Sequence, residues 1–215
     1  IQLAAAPLDS EEGRAYLGAM RCAANYAWAN RQVMLHSVRE TFARVLGAGP
    51  REIGMRLLYD VCHNIAKIEE HEVDGRRIEV CVHRKGATRA FPPGHPDVPA
   101  AYRESGQPVL IPGSMGTYSY VCAGAAGAMK GTFGSTCHGA GRRMSRTRAK
   151  QASRGRDLLA EMESHGVLVR ATGMRTVAEE MPHAYKDVAD VVEVMERAGV
   201  SRRVARLLPI GVVKG

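Results

Sequence analysis

His138 is followed by Gly139-Ala140-Gly141, which sets an imidazole beside backbone N–H groups carrying little or no side chain. Such amides can approach a bound anion closely, and an imidazole with a free nitrogen can attack an electrophilic phosphorus. Pro112-Gly113-Ser114-Met115-Gly116-Thr117 offers a second turn of this kind, with the Ser114 and Ser119 hydroxyls as further donors to phosphate oxygens. Neither turn has the spacing of a P-loop or of a dinucleotide fingerprint. Taken alone, each is more often a plain connection between strands, and a lone His after a strand more often structural.

His63, followed by Asn64 at the end of an apolar stretch, has neighbours His71 and His83 on the next predicted hairpin. Imidazole at a strand end suits a soft divalent metal, and it also suits a hydrogen-bonded core position. One histidine does not make a metal site. Arg142, Arg143, Arg146, Arg148, Lys150, Arg154 and Arg156 run without an acidic residue between them, a cluster that fits phosphate backbones or a solvated helix face. Tyr185 could stack on a base or pack at a helix cap, and an apolar strand over residues 210–213 is expected to deliver Lys214 to the terminus.

These groups need a scaffold. Asp9 and Glu12 read as a capping box, and Leu17, Met20, Ala24, Ala27, Leu35, Val38, Phe42 and Val45 recur at helical steps up to Gly47. Strands are expected at residues 57–61, then 65–73 and 76–83 around Asp74-Gly75, which suits a type I′ turn. Residues 86–106, rich in proline and glycine, read as an extended surface loop. Strands follow at 109–111, 118–122 and 132–137, a basic helix from Ser145, a strand at 167–170, a short helix near Val177 and a helix at 188–197. The class is α+β, with mixed or antiparallel sheets and flanking helices, in one interlocked domain. Its parts are a long helix over 1–48, a sheet region over 55–140 with the His63 and His138 motifs, and a basic helix and tail over 141–215.

Thirty basic residues against twenty-two acidic ones give a formal net charge of +8, which favours a polyanionic partner such as nucleic acid. Five scattered cysteines without a CxxC pair argue against a disulfide framework or structural zinc, and point to a reducing, cytoplasmic compartment. No apolar run is long enough to span a membrane. Ile1 is not an initiator Met, so upstream sequence is expected to have been removed.

The blocks Ala27-Trp28-Ala29-Asn30-Arg31-Gln32, Asp60 to Lys67, His83 to Gly94, Pro112 to Thr117, His138 to Arg142 and Val213-Lys214-Gly215 come in one order across the chain. With them the sequence closely resembles the carboxy-terminal half of the RtcB family of RNA-splicing ligases. The resemblance implies an RtcB-like fold lacking its amino-terminal part, and a GTP- and manganese-dependent ligase. In that scheme His138 attacks the α-phosphate of GTP, and RNA 2′,3′-cyclic or 3′-phosphate ends are joined to 5′-hydroxyl ends. The resemblance assigns His63 to one of two Mn2+ ions. It assigns Asn64, Pro112, Gly113, Ser114, Met115, Ser119, Gly139, Ala140 and Gly141 to the guanylate, and Tyr185 and Lys214 to the guanine.

Arg142 and Arg146 are the expected RNA contacts, with Arg84 and Arg89 behind them. Expected partners are tRNA halves or broken RNA, an archease helper, and the amino-terminal part of the enzyme. The family's other metal ligands, an aspartate, a cysteine and two histidines, have no counterpart in these residues, so the chain alone is expected to be inactive. The other readings are a non-catalytic RNA-binding module and a truncated fragment.

Overall fold

A computed structural model describes residues 4–49, 51–171 and 173–209. The long helix α1 runs Glu11–Leu46. Its N-cap is Ser10, whose hydroxyl accepts from the Gly13 amide, so the capping box expected from Asp9 is shifted by one residue. Gly47 closes the other end in the left-handed conformation, as its position implied. The apolar stripe is present, yet only Gly13 and Ala24 are buried along the helix. Tyr26, Val33, Phe42, Val45 and Leu46 lie exposed, Tyr26 at 77%.

Residues 57–61 are not a strand. The first strands are β1 (Asn64–Val73) and β2 (Arg76–Lys85), an antiparallel pair in which Asn64 faces Lys85 and Val73 faces Arg76. Asp74 and Gly75 both have positive φ, as the type I′ reading required. β3 (Ala87–Arg89) leaves this hairpin and pairs with β6 (Ser135–Cys137), Ala87 opposite Cys137. The third sheet is β4 (Pro108–Ile111), β5 (Ser119–Gly124) and β7 (Ser201–Leu207), antiparallel throughout.

Between β5 and β6 lies the short helix α2 (Gly127–Thr132), which replaces the start of the strand expected over 132–137. Further on come α3 (Arg146–Ala152), α4 (Leu158–Ser164), α5 (Met174–Glu179) and α6 (Val188–Arg197). The stretch 167–170 is not a strand; Val167 instead tucks into a core, with its amide donating to the Met162 carbonyl. Residues 86–106 are also not a plain surface loop, since Ala90, Phe91 and Val98 are fully buried. Turn hydrogen bonds, such as Gly94 N–H to the Arg103 carbonyl, satisfy the backbone there and let apolar side chains go inside.

Two cores result. Val109, Ile111, Tyr120 and Cys122 of the β4–β5 pair pack under Val188 and Val192 of α6, together with Ala90 and Ala140. Met115, Leu158, Met162, Val167, Val177 and Met181 form the second. Each core thus takes in one residue of a glycine turn: Ala140 in the first, Met115 in the second. No described helix is long and apolar enough to cross a membrane.

Candidate active site

β6 ends at Cys137 and hands the chain to His138, while β1 begins at Asn64 and leaves His63 just outside it. The two imidazoles stack, with centroids 4.6 Å apart and planes within 9° of parallel. Burial, and then the charges of His63 and Lys85, hold the His138 pKa below the ordinary imidazole value. A neutral ring keeps a nitrogen lone pair, which nucleophilic attack requires. Lys85 reaches this place because it pairs with Asn64 across the hairpin. Read from sequence it is only a letter in a motif, and its closeness to His138 needs the β1–β2 register. Gly86, at φ +71°, sits against the same ring: a Cβ there would lie 3.7 Å from His138 Nε2.

The two glycine turns meet. The Ala140 amide donates to the Pro112 carbonyl at 3.0 Å, and a Cβ on Gly139 would press to 3.4 Å from that oxygen. Inside the second turn, Gly113 N–H donates to Ser119 Oγ at 3.3 Å and Ser114 N–H to Thr117 Oγ1 at 2.8 Å. Ser114 is buried, with its hydroxyl 2.9 Å from that of Thr117. These two amides and hydroxyls therefore shape the turn from within, a role for Thr117 that the sequence reading missed. Gly113 is required by close approach, since a Cβ would fall 2.2 Å from the Tyr118 carbonyl. The Met115 side chain belongs to the second core.

Tyr185 lies beside the His138 turn because its segment pairs with it. Arg142 and Tyr185 form an antiparallel bridge, flanked by Lys186 N–H to the Gly141 carbonyl and Arg143 N–H to the Ala184 carbonyl. The Arg142 guanidinium covers the Tyr185 ring at 4.9 Å and donates to its hydroxyl at 3.1 Å. That hydroxyl donates in turn to Glu180. Burial and the neighbouring Glu180 carboxylate raise the phenol's pKa, so it remains a donor. Arg142 also donates to the carbonyls of Met144 and Glu179, so it is braced rather than free-swinging.

The expected RNA-contacting arginines separate into different settings. Arg146 is 69% exposed on α3, 3.5 Å from Glu179, and Lys150 (3.1 Å) and Arg175 (3.8 Å, on α5) share that carboxylate. Arg175 escaped the sequence reading because it lies far along the chain from the basic run. α3 is only seven residues long, capped by Ser145, so Arg142 and Arg143 precede it and Arg154 and Arg156 follow it. Arg89 is partly buried over the Phe91 ring at 4.6 Å and donates to Gln107. Arg84 corrects its expectation outright, because it is only 3% exposed and its guanidinium is engaged within the protein. A phosphate on the surface has no access to it.

The metal reading needs more than His63. Among the described residues no group of three or more His, Cys, Asp or Glu could hold an ion. Cys62, next to His63, accepts from Arg31 at 3.6 Å, and Arg31 also pairs with Asp60 at 2.7 Å. These contacts tie α1 to the segment carrying His63 and give the Arg31 and Asp60 motifs a shared structural purpose. The donors present do not complete a metal site. Lys214 and the strand expected over 210–213 lie outside the described residues.

Fold and site together define an α+β protein with a stacked histidine pair, one member of which opens a glycine turn joined to a second. The family model for tRNA-splicing ligase RtcB matches residues 1–215, and the chain belongs to that family. It is 59% identical to a tRNA-splicing ligase RtcB of Pyrococcus abyssi over 214 residues, covering all of this chain and 23% of that protein. The RtcB of Thermococcus kodakarensis is 58% identical, with 44% of its length covered. An RNA-splicing ligase RtcB homolog of Entamoeba dispar is 50% identical, with 40% covered. The chain thus spans less than half of the curated relatives it matches.

Proposed function

We propose that this chain is the carboxy-terminal portion of an RNA ligase in which His138 carries guanylate. The neutral His138 ring, stacked on His63 and opening a glycine turn hydrogen-bonded to a second one, is the observation that carries the reading. A ring nitrogen attacks the α-phosphorus of GTP; a P–N bond forms and the P–O bond to pyrophosphate breaks. After opening of a 2′,3′-cyclic end, an RNA 3′-phosphate oxygen displaces the imidazole, and a 5′-hydroxyl then displaces GMP to leave a phosphodiester.

In this reading Asn64, Pro112 to Met115, Ser119 and Gly139 to Gly141 line the guanylate, while Tyr185 and Lys214 contact the guanine. Lys214 can donate to the guanine O6, where adenine offers an amine. His63 supplies one ligand to manganese, which when bound offsets charge on phosphate oxygens. The remaining ligands come from the part of the relatives' length that this chain does not cover. Support for such a part is the apolar surface that α1 leaves exposed at Tyr26, Val33, Phe42, Val45 and Leu46. RNA follows the face of Arg142, Arg146, Lys150 and Arg175, with Arg89 at its margin and Arg84 excluded by burial.

Mixing this chain with the amino-terminal portion of a relative, GTP, manganese and RNA carrying a 3′-phosphate and a 5′-hydroxyl tests the reading. Sealing in the mixture and none with either piece alone is expected. RNA binding without sealing in every combination favours a non-catalytic RNA-binding module.

A further inference from the structure

Arg84 does not serve RNA, and its surroundings say what it does serve. Its Nη1 and Nη2 donate to the two Glu69 oxygens at 2.8 and 2.7 Å. Its Nε donates to Ser135 Oγ at 2.8 Å, and Nη2 also donates to the Phe133 carbonyl at 2.9 Å. All three nitrogens are thus spent inside the protein, on two pieces of chain far apart in sequence. Glu69 belongs to β1, and Phe133 and Ser135 belong to the turn that opens β6.

The Ser135 piece and Arg84's own strand β2 both lead to His138. Ser135 stands three residues before it on β6. On the other side, Arg84 is two residues before Gly86, which rests against the His138 ring. The turn being held is itself an unfavourable one: Phe133 has φ 49°, in the left-handed region that a bulky residue rarely adopts. His71 completes the arrangement. It lies 3.2 Å from Glu69 through Nε2, and its ring meets Phe133 at 5.2 Å and Phe91 at 6.3 Å, edge to face.

Stability alone is a poor reason for such a group. Apolar residues of similar volume commonly replace a buried ion pair without loss, whereas only the planar guanidinium fork can bind a carboxylate with two nitrogens and still reach a carbonyl and a hydroxyl. Geometry is the better reason. We infer that Arg84, oriented by Glu69 and His71, is a positioning residue that clamps the start of β6 to the end of β2 and so fixes where the His138 ring meets the nucleotide.

This role rests on the reading of His138 as the guanylylated residue, and it deepens that reading by one layer of contacts. Residues that orient a reacting group typically cost about 10- to 100-fold in activity when altered, because small misplacements are amplified in the rate. The step affected is the first one, which needs no RNA.

The test uses the complete ligase, with this sequence continued to the relatives' length, and follows labelling by GTP with manganese and without RNA. Arg84→Lys keeps the charge and loses the fork; its maximal labelling rate is expected to fall about 10- to 100-fold with the KM for GTP nearly unchanged. Ser135→Ala removes a single partly exposed partner, and is expected to slow labelling in the same direction with an unaltered melting temperature. Should Arg84→Lys fail to fold, Ser135→Ala decides alone. Wild-type labelling rates in folded variants would overturn the positioning role, whatever the effect on ligation. An unaltered ligase that carries no label on His138 overturns the underlying reading and the clamp with it.

Discussion

His63 and His138 come from chain segments 75 residues apart and stack face to face at 4.6 Å. The hairpin brings them together: Asn64 pairs with Lys85, and two residues later Ala87 pairs with Cys137, so one continuous path of backbone sets both rings. Burial and the neighbouring Lys85 cation disfavour protonation of the His138 ring. The site is therefore built to keep His138 unprotonated.

Lys85 is central to that balance. Burial is the larger cause of the lowered His138 pKa, with the charges of His63 and Lys85 adding to it. Replacing Lys85 by Gln should move the His138 titration upward, and the acid limb of guanylylation should follow it to higher pH. An NMR titration of the His138 ring checks this, and an unmoved midpoint contradicts it.

The buried Glu69–Arg84 pair should govern acid stability. Burial by itself would raise the Glu69 pKa, but hydrogen bonds and charge from Arg84 outweigh it and bring the carboxyl below its usual range. A lowered carboxylate pKa contributes stability above the unfolded value, and that contribution is lost as pH falls through the folded value. Glu69→Gln should therefore destabilise by about 3–5 kcal/mol near neutrality, with a smaller difference in acid. Denaturant unfolding at several pH values measures it; a gap that widened on acidification would refute the assignment.

The cysteines should differ in reactivity by position. Cys122 is buried in the first core, with its thiol pushed up to about 12 chiefly by burial, and Cys137 is raised for the same leading reason. Cys22 lies exposed on α1. Brief alkylation of the native chain followed by peptide mass spectrometry should mark Cys22 and spare Cys122. Rapid labelling of Cys122 would mean that the β4–β5 core opens readily.

RNA affinity should distinguish arginines by exposure. Arg146→Ala and Arg175→Ala should each weaken binding to the complete ligase and lower the slope of log K against log salt by up to about 0.9 for each phosphate no longer neutralised. Arg89→Ala, at the margin, should do less. Equal effects at all three positions would dissolve the proposed face.

Much of the scaffold was legible in the sequence because local chemistry specifies it. Asp74-Gly75 dictated the hairpin and Gly47 the end of α1, and the helix expected at 188–197 is α6. What failed had physical causes. The run 57–61 is apolar but finds no strand to pair with, and a strand without a ladder does not form. β7 reads as a basic stretch, Arg202, Arg203 and Arg206, and becomes a strand only because β5 offers it an edge. At the site, His138, its turn and His63 could be named from motifs. The parts of Lys85, Thr117 and Glu69 depend on register and burial, which no motif encodes, and Arg84 looked like an RNA contact because charge is visible in sequence and burial is not.

The central claim is a covalent bond between His138 and guanylate, and labelling of the complete ligase with GTP carrying a radioactive α-phosphate tests it most directly. One labelled peptide is expected, the one containing His138, with the acid-labile and base-stable behaviour of a P–N bond, and no label in His138→Ala. Label on any other peptide, or label that survives His138→Ala, would contradict it.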